Sequence, residues 1–435
     1  MSTSQRMRSA VMRTRLELED WLRWVPLLRL GLSHALVLDA TRRRLDDPTE
    51  VAVSVSRLCA AARVAPHRRL RRAIERRISD RLPRLELGRL DLAQLVPGAT
   101  EPRLRKAALL KRPVGTAEKG LLFVSFENEW TKLLSVRDLP ALAERYDLVI
   151  APSWSPPHSL PLYLLALAHP GPIFSTISNA EDMETIPTIS PKLVPLPLYA
   201  SSWVNPEWFN ATPSTRDIDV LMVANFAKFK RHQALFAALR TLPRTLRVRL
   251  IGQAERNRTA ASIRVEAEAY GVSDRFELIV DAPHQLVLES FQRARISLVL
   301  SRREGSCVAV AESLFADTPV GLLENAHVGS RAFINEHTGR LLSHRGLGSQ
   351  LLDFLKHADR YAPRAWAEEH ISCWQSTRVL NEQVKRHALD RGHAWTEDLA
   401  PLHWRPDPQL AHSNDRVRLQ PAYDDVKARF GLEIG

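Results

Sequence analysis

Cysteine is scarce: Cys59, Cys307 and Cys373 are the three in 435 residues. They stand far apart, so neither a disulfide framework nor a zinc site is encoded, and a reducing cytoplasm is the expected compartment. No apolar run free of charge reaches the length of a membrane span. The nearest, Trp21 to Leu38, is broken by Arg23, Pro26, Arg29 and His34, which also disrupt any signal-peptide core. This segment is expected to be an amphipathic or core helix, and Trp21 and Trp24 beside arginines also suit it to lie along a membrane face. Aromatics do not interleave with the basic runs, and no zinc-finger or RNA-binding signature is present, so nucleic acid ranks last among partners. No acidic D-x-D pair stands at a strand end, so no metal site is implied.

What the chain has in excess is positive charge. A formal net charge of +12 calls for an anionic partner or surface. Arg68, Arg69, Arg71, Arg72, Arg76, Arg77, Arg81 and Arg84 crowd one stretch whose own glutamates do not balance them. Such a face would rest on anionic phospholipid headgroups, each cation adding about 1 kcal/mol. A solvated helix face is the plainer alternative. The length allows two domains with cores of their own.

The informative stretch is Ile296 to Leu323. Ile296 to Leu300 has the length and apolarity of a buried parallel strand. The turn Ser301-Arg302-Arg303-Glu304-Gly305-Ser306 follows, and Ser306 is a candidate N-cap for a helix over Val308, Ala311, Leu314 and Phe315. The helix stops before Pro319, and Val320 to Leu323 forms the next strand. Ligands of such sheets bind beyond the carboxyl ends of the strands, where Glu304, Gly305 and Ser306 fall. A helix start there suits phosphate, Gly305 admits close backbone approach, and carboxylates at Glu304 and Glu312 suit vicinal hydroxyls. Diphosphate and polyol together describe a sugar nucleotide.

Glu304-Gly305 with Glu312, followed by Asp317-Thr318-Pro319-Val320, resembles the E-x7-E signature of retaining GT-B glycosyltransferases of the group 1 (family 4) class. The resemblance implies an α/β fold of two Rossmann-like, doubly wound domains facing a cleft, here with an extra helical, Arg-rich N-terminal segment. It implies a nucleotide-sugar donor as substrate rather than a cofactor, a glycan or lipid-linked acceptor, and hexosyl transfer without a metal. The work would be polysaccharide or surface-glycan biosynthesis in the cytoplasm, with peripheral contact at the inner face of an anionic membrane.

By the same resemblance Glu304 holds the donor sugar's hydroxyls, the amides about Gly305, Ser306 and Cys307 meet sugar and phosphate, and Glu312 takes the ribose diol. Cys307 has no base placed beside it and is read as a small residue at a helix start. Lys230 matches the lysine that grips the donor diphosphate. The arginine position of that pattern is Asn225, which supplies no charge, leaving Lys228 or Arg231 to compensate. Gly252 follows a strand where the chain can approach the ligand closely, and Val280, Asp281 and Ala282 sit where the family reads the nucleobase. His158 is a candidate to approach the sugar from the other domain, the alternative being a structural histidine. The catalytic candidates are therefore Glu304, Lys230 and His158.

Four regions are expected: 1–115, helical and basic, part of or appended to the acceptor domain; 116–210, the acceptor domain with its linker; 211–360, the donor domain; and 361–435, a helix crossing back and an irregular tail. In the acceptor domain strands are expected at Leu121–Ser125, Asp147–Ile150 and Pro172–Ser175. Polar clusters follow them: Glu127, Asn128 and Glu129; Ser153, Trp154 and His158; Asn179, Glu181 and Asp182. Leu193 to Phe209 reads as the interdomain linker. The glycine-rich loop that the family places after its first strand is missing. A nucleotide-binding scaffold without activity, or another GT-B enzyme such as a sugar-nucleotide epimerase, remains the alternative.

Overall fold

The computed structural model describes residues 3–209, 215–404 and 407–435. The boundary expected at 210/211 lies outside them. The chain divides into two compact units, Met1–Trp24 with Pro206–Ser372, and Val25–Asn205 with Cys373–Gly435.

The first unit is built on six parallel strands in the order Gly339–Leu342, Val320–Leu323, Ala294–Val299, Ile218–Val223, Val248–Gly252, Glu277–Val280. Counted along the chain the order is 6-5-4-1-2-3. The strand order therefore reverses between Ile218–Val223 and Ala294–Val299, the switch point at which open α/β sheets place their ligands. Apart from Asp219, Arg295 and Ser297 these two strands are apolar, and they are buried except near their ends, as parallel strands covered on both faces require.

Two local expectations shift here. The helix after the central strand begins at Val308, with Cys307 rather than Ser306 as N-cap and no side-chain cap bond. The helix expected from Gly329 to Asn335 is a 3-10 turn, Gly329–Phe333, because the Gly329 N–H is drawn to the Gly305 carbonyl at 2.8 Å.

The second unit holds a five-stranded sheet in sequence order. Ala107–Lys111 is an antiparallel edge on Gly120–Ser125, followed by parallel Tyr146–Ala151, Ile173–Ile177 and Leu193–Tyr199. The stretch expected as a linker thus supplies a strand. Pro195 and Pro197 disguise it, yet proline is tolerated on an edge strand, where one side of the backbone has no ladder partner.

The N-terminal region is not one appendage. Helix α1 (Thr3–Leu22) belongs to the six-stranded unit, packing on the Ala260–Tyr270 helix. Helices α2 (Pro26–Thr41), α3 (Pro48–Val64) and α4 (Arg68–Ser79) belong to the five-stranded unit. Val51, Val55 and Leu58 of α3 are fully buried in one core with Leu122, Val124 and Ile150 of the sheet. The tail is not simply irregular either. Cys373–Asp390 and Ser413–Phe430 are both 18-residue helices, and Leu419, Val426 and Phe430 enter the same core. Among the described residues no helix is long and apolar enough to cross a membrane.

Candidate functional site

A pocket of about 340 Å³ opens at the switch point of the six-stranded unit. Each wall follows from a strand end. After Ile218–Val223 come Ala224, Asn225 and Lys230; after Val248–Gly252, Gln253; after Glu277–Val280, Asp281 and Ala282; after Ala294–Val299, Glu304, Ser306 and Cys307. Val308 and Ala309, the first turn of the next helix, complete it, so the positive end of that helix dipole faces the cavity.

Two loops bring opposite charges together across the switch point. Lys230 Nζ donates to Glu304 Oε2 at 2.7 Å, and the other carboxylate oxygen accepts from the Ser301 hydroxyl. The Glu304 loop is held from below: Glu304 N–H donates to the His327 carbonyl at 3.0 Å, and His327 N–H to that of Arg302 at 2.7 Å. Burial works against the Lys230 charge, but the neighbouring Cys307 and Glu304 outweigh it and raise its pKa. Lys230 is therefore an ammonium at neutral pH. Burial, reinforced by the Glu304 charge, pushes the Cys307 thiol up to about 12. It is a neutral wall residue, not a thiolate nucleophile.

The cations expected to stand in for the missing arginine point elsewhere. Lys228 Nζ donates to Glu19 at 2.7 Å. The Arg231 side chain is buried against Asp20 and the Leu300 carbonyl. Neither lines the pocket. Asn225 does, but its amide nitrogen donates to Glu255 at 3.2 Å. Among the described residues Lys230 is the one cation in the pocket wall.

Other expected residues fall as follows. Gly252 lines the pocket, yet its close approach is to protein. A Cβ there would lie 2.4 Å from the Ala224 carbonyl oxygen and 2.5 Å from the Phe226 ring. Asp281 lines it in a left-handed conformation (φ 52°), its N–H bonded to the Gly252 carbonyl at 2.9 Å. Val280, at the strand end, and Gly305, between two wall residues, are not themselves in the wall. Nor is Glu312. It lies one turn below Val308, where its Oε1 pairs with His284 Nε2 at 2.9 Å. Ala282, the last residue of the expected turn, lines the pocket, whereas sequence reasoning missed Gln253 and Val287; Gln253 was discoverable as the residue immediately past Gly252.

His158 is in the five-stranded unit, fully buried, with Nε2 3.0 Å from Glu75 Oε1 of α4. Burial lowers its pKa against the pull of Glu75. A covered imidazole has no face to offer a ligand, so the structural role replaces the catalytic one. The polar clusters at that unit's strand ends satisfy each other. Glu127 accepts from the Ser153 hydroxyl at 2.6 Å, and Asp182 from Ser155 Oγ at 2.7 Å and the Ser178 and Asn179 amides. The arginines of α4 are also partly balanced, by acids distant in sequence: Arg68 pairs with Glu184, and Arg71 with Glu181 at 3.5 Å.

The parallel 6-5-4-1-2-3 sheet thus has a helix start, an ammonium and a carboxylate at its switch point, where such sheets place their ligands. Residues 204–345 match the family model described as glycosyl transferases group 1, and Glu304, Gly305 and Glu312 lie within that segment. No curated protein matches the chain. Solved structures similar to it include the pneumococcal O-GlcNAc transferase GtfA, in complex with UDP and GlcNAc (14% identity, 58% of this chain and 54% of that one, TM-score 0.44). Others are sucrose-phosphate synthase from Thermosynechococcus elongatus (15%, 62% and 74%, TM-score 0.49) and Anabaena HepE in complex with UDP (12%, 62% and 78%, TM-score 0.48). The match spans about half the length of the GtfA chain.

Proposed function

We propose that the protein is a retaining glycosyltransferase that moves a sugar from a nucleoside diphosphate donor to a glycan or lipid-linked acceptor in polysaccharide or surface-glycan biosynthesis. The observation that carries this reading is the 2.7 Å pairing of Lys230 with Glu304 at the switch point, beside a helix start. As the donor's glycosidic bond breaks, negative charge gathers on the leaving diphosphate and positive charge on the anomeric carbon. Lys230 and the amides at the start of the Val308–Phe315 helix stabilise the first, a preorganised donor of this kind being worth about 3 kcal/mol. Glu304 orients the sugar hydroxyls and stands near the second. Glu312, tied to His284, takes the ribose diol in the reading that the resemblance implies. The departing phosphate accepts the acceptor's proton on the same face, which retains configuration, and no step calls for a metal. Incubation with a panel of nucleotide sugars tests the proposal. Release of nucleoside diphosphate with one donor supports it, and thermal stabilisation by nucleotides without turnover of any donor overturns it.

A second reading, a nucleotide-binding scaffold without turnover, is favoured by one observation: Asn225 is engaged with Glu255 and Lys228 with Glu19, leaving the diphosphate a single side-chain cation.

The five-stranded unit is proposed to rest on the inner face of an anionic membrane. Leu27, Leu28, Leu32 and Leu38 leave α2 exposed along one side, and Arg69, Arg72, Arg76 and Arg77 are exposed on α4. Both helices pack on α3, and Arg29 of α2, its pKa lowered by burial, also feels the charge of Arg71 on α4.

A further inference from the structure

The turn that presents Lys230 is secured by a residue more than two hundred positions upstream. Arg231 is a non-glycine residue in the left-handed region (φ 59°, ψ 47°), between the 3-10 turn Lys228–Lys230 and the helix His232–Leu239. An L residue in that conformation is strained and persists where its surroundings hold it. What holds it is its own side chain, 1% exposed. The guanidinium Nε donates to both Asp20 oxygens, at 3.0 and 3.1 Å. Nη1 donates to the Leu300 carbonyl at 3.1 Å, and Nη2 to His344 Nδ1 at 3.3 Å. Leu300 directly follows the strand whose loop carries Glu304. One guanidinium therefore joins the loop of Lys230 to the loop of Glu304, and the carboxylate that neutralises it comes from α1.

The end of α1 repeats the theme beside it. Glu19 accepts from Lys228 at 2.7 Å, at the other end of the same 3-10 turn, and Asp20 lies 3.8 Å from Arg302. The helix is fixed upstream by Arg13, which donates to the Ala269 carbonyl at 3.1 Å, and by the Tyr270 hydroxyl, which donates to Glu17 at 3.2 Å. A buried guanidinium deprived of its carboxylate is an uncompensated charge in a low-dielectric site, and the chain moves to rehydrate it. Here that movement displaces the residue next to Lys230.

We infer that Asp20 is a positioning residue for the donor's diphosphate, acting through Arg231 to hold Lys230 in the pocket wall, so that α1 is part of the donor site though it lines none of it. This rests on the donor reading proposed above. The signature is selective, because an aid to phosphate binding affects a nucleoside diphosphate and spares its nucleoside, whereas general damage to the unit weakens both.

The test is calorimetric titration of the full chain with uridine, guanosine, adenosine and thymidine diphosphates and the parent nucleosides. In Asp20→Asn the preferred diphosphate is expected to bind at least tenfold more weakly, with nucleoside affinity within twofold of wild type. Asp20→Glu, which keeps the carboxylate, is expected to recover diphosphate affinity to within threefold. Equal losses for both ligands, or no loss in a folded Asp20→Asn protein, overturn the inference. Should Asp20→Asn fail to fold by circular dichroism, Arg231→Lys, which keeps the charge but loses the guanidinium fork that joins Asp20 to the Leu300 carbonyl, is read instead. A threefold or greater loss for the diphosphate alone supports the inference, and an unchanged value overturns it. A wild-type chain that binds no diphosphate overturns the donor reading itself, and this inference with it.

Discussion

Lys230 and Glu304 lie 74 residues apart in sequence and 2.7 Å apart in space. Each sits on a loop that leaves the sheet at the reversal of strand order, so the ion pair marks the place where topology gathers ligands. In the function proposed above, a diphosphate arriving there would share the ammonium with the carboxylate, and the sugar hydroxyls would take the carboxylate's remaining acceptor capacity.

Replacing Lys230 by alanine removes the one side-chain cation that the described residues give the wall. A hydrogen bond to a charged group contributes about 1.5–3 kcal/mol, so nucleoside diphosphate affinity is expected to fall roughly tenfold to a hundredfold. Nucleoside affinity is expected to stay within about twofold. Calorimetric titration reads both numbers, and equal losses would remove the phosphate role.

Glu304→Gln keeps the shape and hydrogen-bonding atoms but not the charge. Loss of a preorganised electrostatic contact is worth about 3 kcal/mol, which predicts a fall in transfer rate of about a hundredfold. The fold is expected to persist, because the loop's backbone bonds to His327 and Gly329 are untouched. Wild-type turnover in this variant would falsify the assignment of Glu304 to the donor sugar.

Asp182 sets a pH dependence in the five-stranded unit. Burial pushes its carboxyl up to about 6, against hydrogen bonds from Ser155, Ser178 and Asn179 that lower it. A group whose folded pKa is raised binds its proton more tightly in the folded chain. Its contribution is therefore full below the unfolded value of about 4 and is lost as pH rises through about 6. The amount is on the order of 3 kcal/mol at most. Urea unfolding of wild type and Asp182→Asn between these pH values checks it. The wild type is expected to lose stability with rising pH relative to the variant, and parallel curves would refute the assignment.

For the membrane contact, Leu27→Glu with Leu28→Glu places two carboxylates on the exposed side of α2. Co-sedimentation with vesicles containing anionic phospholipid is expected to drop several-fold, while neutral vesicles show little binding in either case. Removing residues 1–90 is not a usable test, since α3 is part of the core. Unchanged sedimentation of the double variant would end the proposal.

The six-stranded sheet was legible because its strands alternate with helices of ordinary length and its polar loops follow each strand, so Glu304 and the wall residue Ser306 could be placed at a strand end by pattern, and Lys230 by the family resemblance. Where the sequence misled, the cause was tertiary. Pro195 and Pro197 hid an edge strand. The arginines of α4 looked unbalanced because Glu181 and Glu184 reach them from another segment. His158 looked available because nothing local announces Glu75. Lys228 and Arg231 looked like substitutes for an arginine because their partners, Glu19 and Asp20, arrive from a helix that periodicity assigns to no particular domain.

That helix has a consequence for biosynthesis. Asp20 and Arg231 are separated by 211 positions, and the whole sheet of the other unit is encoded between them. During translation α1 emerges well ahead of the Arg231 turn and waits, solvated, for it. The six-stranded unit therefore cannot close on α1 until Arg231 is made, while its companion waits longer still for Leu419, Val426 and Phe430 to complete its core, and a chain stalled before Arg231 leaves Asp20 without its guanidinium partner.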